Sequence, residues 1–222
     1  MDELIPRERT VLAPGAVHVP DWLSPERQAA LVEACRAWAA GPAPLRHTTL
    51  PSGGVMSVRS VCLGWQWIPY RYSRYAEDAG GARVEPFPAW LGDLGREAIV
   101  AAADPLLGPP EEYAPDAALI NFYDAAARMG MHQDHEERSR APIVSLSLGD
   151  RCVFRFGNTE DRGRPYRDLE LRSGDLVVFG GPSRHAFHGV PRILPGTADP
   201  PCGMKAGRLN VTLRVTGLPA SD

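Results

Sequence analysis

Period-2 alternation of polar and apolar residues dominates the second half of the chain. It is clearest in Arg208-Leu-Asn-Val-Thr-Leu-Arg-Val215, where Arg208, Asn210, Thr212 and Arg214 share one side and Leu209, Val211, Leu213 and Val215 the other. Similar runs predict strands at 117–123, 142–149, 152–157, 168–171, 175–180 and 185–190, separated by glycine, proline and charged turns. The first half reads differently. After an extended, proline-containing lead over residues 1–20, Ser24-Pro25 supplies a helix N-cap and a first-turn proline. Leu31, Cys35 and Trp38 then recur at helical spacing until Gly41-Pro42. Residues 43–76 predict short strands and loops around a Gly53-Gly54 turn. A second helix is expected from Pro88 to Ala103, with Trp90, Leu94 and Ala101 facing inward, ahead of Asp104-Pro105. Many short alternating strands behind two helices predict an all-β core with flanking helices on one outer face, a sandwich or jelly roll.

The strand at 208–215 carries unusual chemistry. The polar face of such a strand commonly meets water, but two arginines flanking an amide form an anion site, because guanidinium forks match carboxylates at two points. Two such anchors suit a dicarboxylate. Asn121 and Tyr123, two apart in Ala-Leu-Ile-Asn-Phe-Tyr123, add a second polar pair on one face of a strand. Between these segments lies His132-Gln-Asp134. Alternate residues of an extended segment point the same way, so His132 and Asp134 can reach one metal ion, and His188, just past the apolar run ending at Phe179, can complete a triangle. Two imidazoles and one carboxylate with three open positions form the facial triad of non-haem Fe(II) oxygenases. Those positions can hold a chelating cosubstrate and O2 together. A His-x-Asp triplet alone recurs by chance and can be an exposed turn; the two arginines give it weight. His135 points away from Asp134 on the same alternation, and Phe187 is expected to pack beside the metal.

Length and composition narrow the classes. A chain of 222 residues suits a single domain spanning 1–222, and 44% hydrophobic residues is ordinary for a globular protein. Cys35, Cys62, Cys152 and Cys202 lack paired spacing, which argues against a disulfide framework or zinc cluster and for buried free thiols. No segment reads as a signal peptide or membrane span, so a cytoplasmic monomer without membrane contact is expected. A net charge of −3 argues against a protein basic throughout. Its distribution qualifies that: from Ala34 to Ala76 there is no acid, while Arg36, Arg46, Arg59, Arg71 and Arg74 interleave with Trp38, Trp65, Trp67, Tyr70, Tyr72 and Tyr75. Trp38 belongs to the helix core; the others predict a base-stacking lid over 34–76. An enzyme that flips a single base needs only local positive charge.

From Asn121 to Arg214 the chain resembles the catalytic core of the AlkB family of Fe(II)/2-oxoglutarate dioxygenases. The resemblance rests on Asn-Phe-Tyr123, Met-His-Gln-Asp134, Ala-Pro-Ile-Val-Ser-Leu-Ser-Leu-Gly149, Phe-Arg-Phe-Gly157, Ser-Gly-Asp-Leu-Val-Val-Phe-Gly-Gly181, Ser-Arg-His-Ala-Phe-His-Gly189 and Arg-Leu-Asn-Val-Thr-Leu-Arg214. Leu63-Gly-Trp-Gln-Trp67 and Tyr70-Arg-Tyr72 extend it into the first half. It implies a double-stranded β-helix over 117–215 that uses Fe(II), 2-oxoglutarate and O2. By it, His132, Asp134 and His188 hold iron; Arg208, with Tyr123 and Asn210, grips the distal carboxylate of 2-oxoglutarate; Arg214, with Asn121, serves the carboxylate beside the keto group. It further implies removal of methyl groups, as formaldehyde, from bases such as 1-methyladenine and 3-methylcytosine in alkylated single-stranded DNA or RNA, with succinate and CO2 as coproducts. Trp65, or Trp67 two residues on, would stack the base opposite His132. Tyr70 and Tyr72 would hold flanking phosphates, Glu136 (where aspartate is common in the family) would recognise the base, and Arg162 would contact the strand. Phe179 stands where a tryptophan is expected. Two alternatives remain open: the same chemistry on a small molecule or protein side chain, and a non-catalytic nucleic-acid module with a dead or zinc-filled site. The complete set of ligands and arginines speaks against the second.

Overall fold

Strand alternation resolves into two facing sheets. The structure, a computed structural model, describes residues 6–219. In chain order its strands are β1 (Thr10–Ala13), β2 (Ala16–Val19), β3 (Arg46–Thr49), β4 (Val55–Leu63), β5 (Gln66–Ile68), β6 (Arg71–Ser73), β7 (Tyr75–Ala76), β8 (Ala82–Arg83), β9 (Ala117–Tyr123), β10 (Met129–His132), β11 (Ile143–Gly149), β12 (Arg151–Phe156), β13 (Arg167–Leu171), β14 (Leu176–Phe179), β15 (His188–Leu194) and β16 (Arg208–Arg214). The larger sheet runs β1-β2-β14-β11-β16-β9-β4-β3 and the smaller β10-β15-β12-β13; β5–β6 and β7–β8 are separate short hairpins. Helices α1 (Pro25–Ala39) and α2 (Ala89–Ala102) cover the outer face of the larger sheet.

Each face of β16 has its own layer. Leu209, Val211 and Leu213, with Val144, Leu146 and Leu148 of β11, pack against Leu31, Val32 and Cys35 of α1 and Leu91, Leu94 and Ala98 of α2. A second core fills the space between the sheets, where Ile143, Val177 and Phe179 meet Phe154, Phe156, Val190 and Ile193. The polar face of β16 is not in water: Arg208 is 1% exposed and Arg214 5%. Leu146 is completely buried, and truncating it to alanine should cost about 2–5 kcal/mol. This is the jelly roll expected, with helices on one outer face.

Several boundaries differ. The proline-containing lead forms the β1–β2 hairpin, whose second strand pairs with β14 (Val17 opposite Val178) and so widens the larger sheet; the first five residues of that lead lie outside the described residues. Ser24 caps α1 by accepting from the Arg27 N–H, as its position suggests. Trp90 does not face inward: it is 45% exposed and stacks on Trp38 with ring centroids 5.9 Å apart. Leu91, Leu94, Ala98 and Ile99 form the buried stripe of α2 at helical period, and Trp90 lies beside it. Residues 185–187 turn, so β15 begins at His188 and continues to Leu194, into what reads as loop. Strand β10 was not anticipated, because Gly130 interrupts its alternation. Among the described residues, no helix is long and apolar enough to cross a membrane.

Candidate metal centre and anion pocket

Strand pairing brings the two histidines together. His132 ends β10 and sits opposite His188, the first residue of β15, with ring centroids 4.4 Å apart. Gly189 permits this approach, since a Cβ there would meet the Met129 carbonyl at 2.8 Å. The chain leaves the strand after His132, and the loop returns the Asp134 carboxylate to the pair. Its Oδ1 lies 3.8 Å from His132 Nε2 and its Oδ2 3.6 Å from His188 Nε2. All three ligand atoms fall within 4.8 Å of one another, a cluster able to hold a metal ion.

Hydrogen bonds assign the tautomers. His132 Nδ1 lies 2.9 Å from the Gly130 carbonyl and His188 Nδ1 3.0 Å from that of Ala186. A carbonyl only accepts, so each Nδ1 carries the proton and each Nε2 turns a lone pair to the centre. Burial, with His132 adding to it and Asp134 opposing, pushes His188 down to about 4, which keeps it neutral at pH 7. Burial alone would raise the Asp134 carboxyl, but Arg214, His188 and His132 hold it well below the usual carboxylate range. Two imidazoles and one carboxylate fit Fe(II) with open positions.

The wall beside these ligands is the shared polar face of β9 and β16. Their register sets Asn210 opposite Asn121 and Arg208 opposite Tyr123. All four side chains, with Thr212 and Arg214, line the cavity that also holds His132, Asp134 and His188. Arg208 donates from Nη2 to Ser147 Oγ at 3.0 Å and lies beside the Tyr123 ring, 5.2 Å from its centroid. Among the described residues, its Nε and Nη1 have no hydrogen-bond partner. A buried donor left unpaired costs about 1–3 kcal/mol, more when charged, so Arg208 is set to receive an anion. Arg214 is less free. Its Nη2 holds Asp134 Oδ1 and its Nη1 holds Glu137 Oε1, each at 2.8 Å, leaving Nε unpartnered. Asn210 donates to Ser145 Oγ at 2.8 Å and the Leu146 carbonyl at 3.1 Å, while Asn121 accepts from Ser60 Oγ at 2.6 Å. The rings against His188 are Phe179 and Phe154, with centroids at 5.0 and 6.0 Å; Phe187 is half-exposed and instead bonds Gly157 and Asn158 through its backbone.

The expected substrate residues are scattered more widely. Trp65 is only 7% exposed; its indole N–H donates to Asp116 Oδ2 at 3.0 Å, and the Arg74 guanidinium covers its ring at 3.6 Å. That corrects its assignment as an open stacking platform, because both its polar edge and a ring face are engaged. Trp67 is half-buried on β5, opposite Tyr72 on β6. Tyr70 is 73% exposed at the tip of that hairpin. Tyr72 turns inward and donates its hydroxyl to Glu137, so it reaches the site from within. Glu136 is half-buried, with its carboxylate accepting from the His135 N–H at 3.3 Å, and Arg162 is exposed on the loop between β12 and β13. Three of the five arginines of the acid-free stretch find acids just beyond its ends: Arg36 pairs with Glu33, Arg46 with Asp78, and Arg71 with Glu77. Sequence reasoning missed Glu137 and Arg184. Both are buried beside Asp134, Glu137 in the loop after β10 and Arg184 in the turn between β14 and β15, where strand alternation no longer applies.

A jelly roll with two histidines and an aspartate at one mouth, beside a buried arginine with two unpartnered nitrogens, defines a non-haem iron oxygenase that takes an anionic cosubstrate. The model of the 2OG-Fe(II) oxygenase superfamily matches residues 15–214. An alpha-ketoglutarate-dependent dioxygenase AlkB homolog of Caulobacter vibrioides is 41% identical over 218 residues, covering 96% of this chain and 92% of that protein. The DNA N(6)-methyladenine demethylase ALKBH1D of Arabidopsis thaliana is 31% identical, over 95% of this chain and 51% of its own length. The solved structure of OsALKBH1 superposes with a TM-score of 0.82 at 31% identity, covering 93% of this chain and 99% of that one. The chain belongs to the AlkB family of Fe(II)/2-oxoglutarate-dependent dioxygenases, and Fe(II), 2-oxoglutarate and O2 serve its reaction.

Proposed function

We propose that the protein oxidatively demethylates N-alkylated bases, such as 1-methyladenine and 3-methylcytosine, in single-stranded DNA or RNA, as a cytoplasmic monomer. The observation that carries this is the convergence of the His132, Asp134 and His188 ligand atoms with the unpartnered Arg208 donors on one cavity, beside an aromatic hairpin. Support for the substrate class comes from the Arabidopsis relative, named for demethylating N6-methyladenine in DNA. His132, Asp134 and His188 would hold Fe(II); Arg208, with Tyr123 and Asn210, would bind the distal carboxylate of 2-oxoglutarate; Arg214, with Asn121, would serve the carboxylate beside the keto group. Fe(II) held there would supply the oxidising chemistry: one oxygen atom of O2 would enter the succinate formed as 2-oxoglutarate loses CO2, the other would hydroxylate a base-attached methyl group, and the hydroxymethyl base would then release formaldehyde. The protein's part is to position these groups and keep water from them. Trp67, rather than the engaged Trp65, stacks the base; Tyr70 and the exposed Arg71 meet phosphates, since a surface pair such as Arg71–Glu77 exchanges partners at little cost. Glu136, two residues past Asp134, contacts the base, and Arg162, exposed on the loop between β12 and β13, contacts the strand. The four free, buried cysteines suit a reducing compartment.

The test is direct: purified protein with Fe(II) and 2-oxoglutarate against a panel of methylated oligonucleotides, scored by mass. Trp67→Ala should weaken oligonucleotide binding by about 1–3 kcal/mol while uncoupled 2-oxoglutarate decay continues. Turnover of small molecules, with oligonucleotide binding untouched in both Trp65→Ala and Trp67→Ala, would establish the small-molecule alternative instead. That second reading has one observation in its favour, the pairing of Arg36, Arg46 and Arg71 with nearby acids.

A further inference from the structure

A second carboxylate lies buried behind the metal-facing one. The Glu137 side chain is fully inaccessible, and its oxygens are divided between two buried arginines. Oε2 accepts from Arg184 Nη2 at 2.9 Å and Oε1 from Arg214 Nη1 at 2.8 Å. Each arginine has another arm on Asp134. Arg214 Nη2 meets the Asp134 carboxylate at 2.8 Å, and Arg184 Nη1 meets its main-chain carbonyl at 2.6 Å. Arg184 Nε closes the loop by donating to the Ala141 carbonyl at 2.8 Å. Two negative and two positive groups therefore balance out of reach of water. A further contact arrives from the aromatic hairpin: Tyr72 on β6 donates its hydroxyl to Glu137 Oε1 and accepts from Arg214 Nη1 at 3.2 Å.

The balance explains what Glu137 is for. Without its charge, two guanidinium groups would face Asp134 alone, and the only anionic ligand of the triad would answer to them instead of to the metal. Partners one step behind a metal ligand commonly set its orientation and basicity. We propose that Glu137 is a positioning residue that locks Arg184 and Arg214 so that Asp134 presents its carboxylate to the two histidines, and that Tyr72 ties this lock to the seating of hairpin β5–β6. The inference rests on the assignment of His132, Asp134 and His188 as the metal ligands. It gives the hairpin a line to the centre: a nucleic acid strand that seats Tyr72 firms the metal carboxylate, and by linkage a loaded centre raises strand affinity by the same factor.

The experiment reads Mn(II) binding in the presence of 2-oxoglutarate by calorimetry, with no turnover required. Glu137→Gln, which keeps the shape and removes the charge, should weaken Mn(II) binding by about 10- to 100-fold; Glu137→Asp should retain more affinity because it keeps the charge. Tyr72→Phe, which removes a single hydroxyl, should weaken it by about threefold, the worth of one hydrogen bond. The double variant Tyr72→Phe/Glu137→Gln should be no worse than Glu137→Gln alone, because the hydroxyl acts through the carboxylate. A folded Glu137→Gln protein with wild-type Mn(II) affinity overturns the proposal. So does a Tyr72→Phe protein whose Mn(II) affinity is unchanged, and that variant decides the matter if Glu137→Gln does not fold. A wild-type protein that binds Mn(II) but converts no methylated oligonucleotide sinks the substrate assignment and leaves this lock intact.

Discussion

Asp175 and Asp134 are both buried carboxylates held by arginine, and their neighbourhoods end differently. Asp175 accepts from Arg7 Nη1 and Nη2 at 2.8 and 2.6 Å, from His18 Nε2 at 2.9 Å, and from the backbone N–H groups of Asp21 and Arg172 at 3.0 Å each. These contacts fasten the N-terminal hairpin to the turn before β14, and the group is finished by the chain itself. Around Asp134 the accounts stay open: among the described residues, two nitrogens of Arg208 and one of Arg214 have no partner. A buried polar group left incomplete is costly, so the chain tolerates it where a ligand completes it. Of these two carboxylates, the one whose partners are complete fastens the fold, and the one with unpartnered donors beside it faces the cavity of the site.

The largest effect should come from breaking the open side. Asp134→Ala should abolish succinate formation, because the metal loses its one anionic protein ligand; turnover retained in that variant would remove Asp134 from the centre. Next is the closed side. Asp175→Ala should lower unfolding free energy by about 3–5 kcal/mol, the usual cost of stranding buried partners. Urea denaturation would measure it, and an unchanged midpoint would show that the hub is dispensable. The folded fraction should still bind 2-oxoglutarate as wild type does.

Arg208→Ala reverses that pattern. It should weaken 2-oxoglutarate binding by about 2–5 kcal/mol and cost little stability, since two of its donors have no partner to lose. Arg208→Lys should restore little, because the fork is gone. Saturating 2-oxoglutarate with Mn(II), at about 100 times its Kd, should stabilise the wild type by about 2.7 kcal/mol and Arg208→Ala far less. A full thermal shift in the variant would place the cosubstrate elsewhere. The smallest effect concerns acid. Burial opposes ionisation of Asp175, but His18, Arg7 and the backbone donors hold its carboxyl below the usual range. A depressed folded value contributes stability above the unfolded pKa of about 3.9 and loses it as pH falls through the folded value. Asp175→Asn should therefore flatten the loss of stability between about pH 5 and pH 2, seen as a shallower acid titration of the denaturation midpoint; an identical slope would remove Asp175 from the linkage.

How far the sequence spoke followed the reach of its local rules. Strand alternation placed Arg208, Asn210, Thr212 and Arg214 on one face, and β16 keeps them so in a wall with Asn121 and Tyr123. The same rule favoured Glu136, because it shares parity with His132 and Asp134. Parity lapses where β10 ends, and the loop turns Glu137 inward instead. Trp65 was legible as aromatic and near arginine, but not as covered by Arg74 and bonded to Asp116, 51 residues away. The Arg7 and His18 contacts to Asp175 span 168 and 157 residues, and no local pattern announces such pairings.

The pairing of His132 with His188 across β10 and β15 has one more consequence. A slip of one residue in that ladder would send one imidazole to the opposite face of the small sheet. Iron can therefore be gripped only by a chain whose edge strand has found its correct partner. The metal acts as a gauge of assembly, rewarding the right register with the free energy of coordination, and a misthreaded edge would be betrayed by its failure to load.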